Sequence, residues 1–431
     1  MEKTVRKNRW GIAVSAVAIH LSIGSAYAYS VFKHPLEEKL GWSGTQVAFA
    51  FTIAIFFLGM SAAVFGRFVE KLGPRKSAFA AAVLFAAGLA GAGWAVDVGS
   101  LALFYATYGV VSGIGLGIGY LAPVSTLMAW FPDRKGLATG LAVMGFGAGA
   151  LICSPVAVKL IDLVGLSQTY LVLAGVYFLL IVCGSVYLEK PPAGWTPGGS
   201  KTTAASSKAA HSRGFEPAPL TPGQAVRTKR FWLLWAMMFV NISAGITLIS
   251  VASPMAQEKV GLTAVSAAAM VGVMGLFNGG GRIGWGTLSD YIGRGNVFLV
   301  FFAAQVVLFL LMPSITNPVL FQAFIFIILT FYGGGFASLS AFVSDLFGMK
   351  HLSEINGYLL TAWSFAGAAG PMAAAAIRDS TQSYDAVFYS FAGPIAAALV
   401  LSLMMKREIR RMRSAESAAP DNQRQTAVQQ A

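Results

Sequence analysis

Charge is scarce in this 431-residue chain. Asp, Glu, Lys and Arg make up 11% of it, where a soluble globular protein carries about a quarter. With 56% hydrophobic residues, that scarcity excludes an ordinary soluble domain. Cysteine is nearly missing: Cys153 and Cys183 are the only two, both in apolar runs. A disulfide framework is excluded, and free buried thiols are the expectation. The two cysteines and four histidines show no metal-ligand spacing, so no enzyme, cofactor or metal is expected.

Long apolar runs take the place of charge. Twelve are long enough to span a bilayer, the first at roughly 10–31, the eighth at 264–288 and the last at 385–405. Backbone groups in lipid must bond within their own segment, which makes the runs helices. The expected fold class is an all-α membrane protein of twelve transmembrane helices. Span 1 lacks the cleavage site of a signal peptide and is expected to remain in the chain.

The net charge of +13 reports topology. Of 31 Lys and Arg, five (Lys33, Lys39, Lys159, Lys259, Arg378) fall on one side of alternating spans and Arg282 falls within the membrane. The other 25 share the opposite side, which predicts that both termini are cytoplasmic in a cell inner membrane. Under that reading the basic charge implies no nucleic-acid partner. The lipid bilayer is the expected environment and a monomer the expected state.

A polar stretch rich in Pro, Gly, Ser and Lys, 189–230, divides the chain. The expected organisation is a six-helix bundle over 1–188, a cytoplasmic linker over 189–230, a second bundle over 231–405 and a cytoplasmic tail over 406–431. The halves resemble each other. "GRFVEKLGPRK" (66–76) and "GTLSDYIGRGN" (286–296) lie 220 residues apart; "WFPDRKGLATG" (130–140) and "LFGMKHLSEINGY" (346–358) lie about 216 apart. Two six-helix repeats place a binding site near the midplane between them.

Within "LFNGGGRIGWGTLSDYIGR" (276–294), Arg282 is the only charge between Gly261 and Ser289. It lies eight residues before Asp290, roughly 12 Å into a core about 30 Å thick, where an arginine costs about 3 to more than 10 kcal/mol. No Asp or Glu falls well inside any expected span, so the partner of first choice is an anion from solution. A guanidinium fork matches a carboxylate bidentately. The competing reading is a set of hydrogen bonds to neighbouring carbonyls or hydroxyls. Asn278, one turn away, either orients Arg282 or the substrate, or bonds a neighbouring helix. His20, near the middle of span 1, either relays protons or makes a neutral interhelical hydrogen bond. The glycine-rich stretches with a proline at 145–155 and 364–371 suit either flexible or closely packed helices. Glu70 and Asp290, with Arg75 and Arg294 nearby, form a candidate gate: a carboxylate there pairs with a helix N-terminus or with basic neighbours.

The two "G-x-x-x-[DE]" loop stretches resemble the paired motif of the major facilitator superfamily. "FKHPLEEKLGWSGTQVAFAFT" (32–52), "AWFPDRKGLATG" (129–140), "LTPGQAVRTKRFWLLW" (220–235) and "FNGGGRIGWGTLSDYIGR" (277–294) resemble its oxalate/formate antiporter family and, more distantly, monocarboxylate carriers. The resemblance implies secondary active transport of small carboxylates, as anion exchange or proton-linked symport. It assigns substrate binding to Arg282 and lines the site with Tyr27, Tyr120, Tyr332 and Phe336. Oxalate-type members carry a second cation, a lysine, on helix 11; Trp363 stands at that position here. A second carboxylate would be left unpaired, so a monocarboxylate such as formate, lactate or pyruvate is expected over oxalate. Trp363 either covers the apolar end of such a substrate or packs. A sensor that binds carboxylates without moving them is the alternative.

Overall fold

The computed structural model describes residues 7–192, 195 and 219–418, and these are helical nearly throughout. Among the described residues, eleven helices are long and apolar enough to cross a membrane. Ala264–Ile292, 29 residues long, takes the eighth place among them and completes an order of twelve. Most of the expected linker and the tail beyond Ala418 lie outside the described residues.

Caps and glycines in the sequence set where the helices begin and end. Span 2 (Gly44–Leu72) starts with a capping box, in which Ser43 and Gln46 satisfy each other's backbone N–H groups. Its counterpart, span 8 (Ala264–Ile292), starts 220 residues later with Thr263 capping Ser266. Both spans end at a glycine in left-handed φ, Gly73 at 79° and Gly293 at 85°. A side chain there would be strained, and the chain turns at once into spans 3 (Pro74–Asp97) and 9 (Arg294–Leu311). The repeat is thus present in backbone conformation as well as in letters.

Span 1 departs from the expected 10–31. It is α-helical over Arg9–Gly24, tightens to a 3-10 turn over Ser25–Tyr29, and runs on as helix Ser30–Leu40. Span 4 carries a wide π-helical turn at Tyr105–Val111 before Ser112–Trp130. Spans 5 (Lys135–Val164) and 11 (Leu352–Thr381) continue through Pro155 and Pro371. Spans 7 (Lys229–Val260), 10 (Pro318–Phe347) and 12 (Tyr384–Ala418) extend well past the minimum needed to cross. Of the two thiols, Cys153 is buried, but Cys183 is exposed on the outer surface of span 6 (Leu166–Tyr187), contrary to expectation.

Spans 1–6 and 7–12 meet along two antiparallel seams, span 2 against span 11 and span 5 against span 8. Glycine sets their closeness. A Cβ at Gly136 would collide with the carbonyl of Gly286, and one at Gly357 with the carbonyl of Ala62. Both approaches lie toward the end of the molecule where span 1 begins and span 12 finishes, here called the terminal end. Between the seams, spans 1, 4, 7 and 10 supply the remaining walls.

Candidate functional site

Arg282 sits at the junction of the two halves and is 0% exposed. Its Nη1 donates to the carbonyl of Val143 in span 5 at 2.9 Å, and its Nε donates to Asn278 Oδ1 at 3.3 Å. Asn278 is therefore the group that orients the guanidinium from one helical turn away. The Arg282 Nη2 is buried with no partner at good hydrogen-bond geometry; the Tyr27 hydroxyl makes only a weak approach to the guanidinium, and no carboxylate among the described residues pairs with the side chain. Aromatic faces flank it, with Phe336 at 5.2 Å and Phe146 at 5.9 Å from the guanidinium carbon.

The other residues singled out in the sequence converge here from different spans. Tyr27, in the 3-10 turn of span 1, and Tyr332, in span 10, place their hydroxyls 3.2 Å apart across the two halves. Trp363 of span 11 lies at the centre, with ring centroids 4.5 Å from Phe336, 6.0 Å from Tyr120 and 6.4 Å from Tyr27. The hydroxyls of Tyr27, Tyr120 and Tyr332 are all within electrostatic reach of Arg282. Two more buried polar atoms here lack partners, the Tyr120 hydroxyl and Trp363 Nε1. A guanidinium N–H, a phenol and an indole N–H are all donors, so the unsatisfied capacity of this cluster suits an acceptor-rich, anionic ligand.

His20 adjoins the cluster through an edge-on contact with Tyr120, centroids 5.4 Å apart. Its Nδ1 lies 3.2 Å from the carbonyl of Ala16, to which it donates when that nitrogen carries a proton. Its Nε2 is buried without a partner.

The candidate gate residues occupy the terminal end. Asp290 accepts hydrogen bonds from the N–H groups of Gly136 (2.9 Å) and Leu137 (3.1 Å), the first turn of span 5. A carboxylate on a helix N-terminus neutralises orphan donors and opposes the positive end of the dipole. Arg294 holds Asp290 at 2.6 Å and reaches Asp345 at 3.4 Å, while Lys135 approaches Asp345 from the other half at 4.0 Å. The first motif copy does the same at the other seam: Glu70 accepts from the N–H of Glu354 at the start of span 11 and lies 3.6 Å from His351 Nδ1. Each motif thus caps a helix of the opposite half. Arg75 stands apart, 3.4 Å from Glu189, which also pairs with Lys7 at 2.8 Å. The Lys7 ammonium holds the Glu189 carboxyl below its usual range. Glu70, His351 and Glu354 also bring three potential metal-ligating atoms within 4.8 Å of one another.

Sequence reasoning missed two parts of the central cluster. Phe146 contacts Tyr27, Tyr120 and Trp363, yet it sits in a glycine-rich stretch read only for packing. The Val143 carbonyl is a backbone group without any signature in the letters. Asp345, His351 and Glu354 were legible only as charges at span ends; the repeat offset, with each motif loop facing the opposite half, was the available signal.

A family model described as Major Facilitator Superfamily matches residues 15–371 and 285–429. The oxalate:formate antiporter of Oxalobacter formigenes is 30% identical over 378 residues, covering 86% of each chain. Monocarboxylate transporter 10 of Homo sapiens is 27% identical over 333 residues, covering 75% of this chain and 62% of that one. In fold, the chain is similar to the crystal structure of the transporter FucP in its outward conformation. The TM-score is 0.70 at 13% identity, covering 91% of this chain and 98% of that one.

Proposed function

The chain belongs to the Major Facilitator Superfamily, and from that premise we propose that it carries small monocarboxylates across a membrane by alternating access, with Arg282 as the carboxylate-binding residue. The observation that carries this reading is the unpartnered, fully buried Nη2 of Arg282. A buried donor left unmet costs about 1–3 kcal/mol, and more when it is charged. A bound carboxylate meets it, with Tyr120 and the Tyr27–Tyr332 pair as further donors and Trp363 against the apolar part of the acid. The relatedness to an oxalate:formate antiporter and to a monocarboxylate transporter supports the substrate class.

Oxalate fits less well. Its second carboxylate would meet the indole of Trp363, with no second cation beside it, and an uncompensated buried charge is costly. Formate, lactate and pyruvate present one carboxylate.

In this reading the capped seams close the terminal end, which the charge distribution assigns to the cytoplasm of an inner membrane. The halves rock about the occupied site, releasing Asp290 and Glu70 from spans 5 and 11 as that end opens. Exchange is the mode favoured. The loaded site is neutral and readily enclosed, whereas the empty site encloses a bare arginine. A neutral His20 beside the Arg282 charge adds no proton to the cycle.

Counterflow of labelled formate, lactate, pyruvate and oxalate into liposomes tests the assignment. Monocarboxylates drive exchange at lower concentration than oxalate; tighter binding of oxalate than of lactate and formate would overturn the preference.

A further inference from the structure

Span 12 is longer than a bilayer requires. Its 35 residues reach about 52 Å at 1.5 Å per residue, against a hydrocarbon core of about 30 Å, so its last turns stand beyond the lipid tails at the terminal end. They do not stand free. Ile409 and the stem of Lys406 lie against Gly295, where span 9 begins, and Met412 meets the guanidinium of Arg230, where span 7 begins. The extension is therefore fixed to the body of the protein by one face.

The opposite face changes character along its length. Val400 is 55% exposed and Leu403 46%, on the outer surface that a membrane would cover. One turn further the same stripe continues with Arg407, then Arg410 and Arg411, all exposed. Positions 400, 403, 407 and 410–411 are spaced three or four apart and share a helix face. Apolar side chains suited to acyl chains thus give way, within about 6 Å of rise from Leu403 to Arg407, to three guanidinium groups, where a bilayer that takes up Val400 and Leu403 would have its headgroups.

We infer that Arg407, Arg410 and Arg411 form a docking surface for the phosphate groups of anionic phospholipids. Guanidinium forks match phosphate oxygens bidentately, and the apolar stripe above accommodates the acyl chains of the same lipids. The source is the lipid headgroup and not free phosphate, because the arginines continue the lipid-facing stripe. Docking there holds the C-terminal half at the membrane surface while the other half moves. The inference stands independently of the substrate reading.

Spin-labelled phosphatidylglycerol and phosphatidylcholine, compared for association with the full chain in zwitterionic vesicles, test it. The unaltered protein prefers the anionic lipid, and R407Q/R410Q/R411Q lowers that preference roughly fivefold for each arginine engaged. Three exposed lysines elsewhere on the terminal end supply the control K71Q/K76Q/K350Q, which keeps the preference. Helical circular dichroism and a monodisperse elution in detergent confirm that each variant folds; a triple variant that fails to fold is replaced by the single substitutions, each expected to lose about fivefold. An unchanged preference in the arginine variants, or an equal loss in the lysine control, would overturn the inference. So would equal displacement of both lipids by inorganic phosphate.

Discussion

Arg282 combines two roles that mutation can separate. Nη1 and Nε are structural, bound to Val143 and Asn278, while Nη2 is the group that the proposed function leaves for a ligand. Lysine at 282 keeps the charge but loses the planar fork, so Arg282→Lys is expected to weaken carboxylate binding at least tenfold in a titration of the purified protein; unchanged affinity would remove the bidentate role. Trp363 supplies a gain-of-function test. Trp363, whose ring packs 4.5 Å from Phe336, lies inside the cluster, so Trp363→Lys brings a second cation there and is expected to raise oxalate counterflow relative to lactate. A variant that folds and still excludes oxalate would show that another feature sets the preference. At this scale the sequence was legible wherever a residue type was costly: one arginine in an apolar span demanded an explanation. Phe146 was not legible, because one more phenylalanine among 31 carries no such cost.

The helices carry the proposed gate. Asp290 and Glu70 each cap a helix of the opposite half, and a carboxylate on a helix N-terminus contributes about 1–2 kcal/mol when partly buried. Asp290→Asn combined with Glu70→Gln is expected to shift the closed-to-open ratio of the terminal end by roughly tenfold or more. Spin labels at positions 76 and 350, with Cys153 and Cys183 replaced, report this as a longer distance distribution. An unaltered distribution would make the caps incidental. Span number, repeat offset and loop position were readable in advance, since hydropathy and glycine–proline punctuation are local. The 3-10 turn of span 1 and the π turn of span 4 were not; they bring Tyr29 and Tyr108 together with ring centroids 4.9 Å apart, a tertiary contact that no local pattern signals. The pairing of Arg75 with Glu189 instead of Glu70 likewise depends on a segment 114 residues away.

Across the whole molecule, the proposed cycle follows from the charge state of one enclosed site. Efflux of labelled lactate into lactate-containing medium is expected to exceed efflux into plain buffer at least tenfold. That factor corresponds to 1.4 kcal/mol, a fraction of the cost of enclosing an unpaired arginine. Equal rates would show that the empty carrier closes as readily as the loaded one. In the proposed exchange cycle buried His20 carries no proton, so the exchange rate is expected to stay level from about pH 6 to pH 8, within the range where an exposed imidazole would titrate. A steep rise toward acid pH, abolished by His20→Asn, would assign the proton to the cycle instead. The most direct measurement is a structure determined with a saturating monocarboxylate, in which the ligand can be located. The account predicts its carboxylate within hydrogen-bonding distance of Arg282 Nη2, beneath Trp363 and beside Tyr120. A carboxylate bound elsewhere, with Nη2 engaged by a resident side chain, would contradict it.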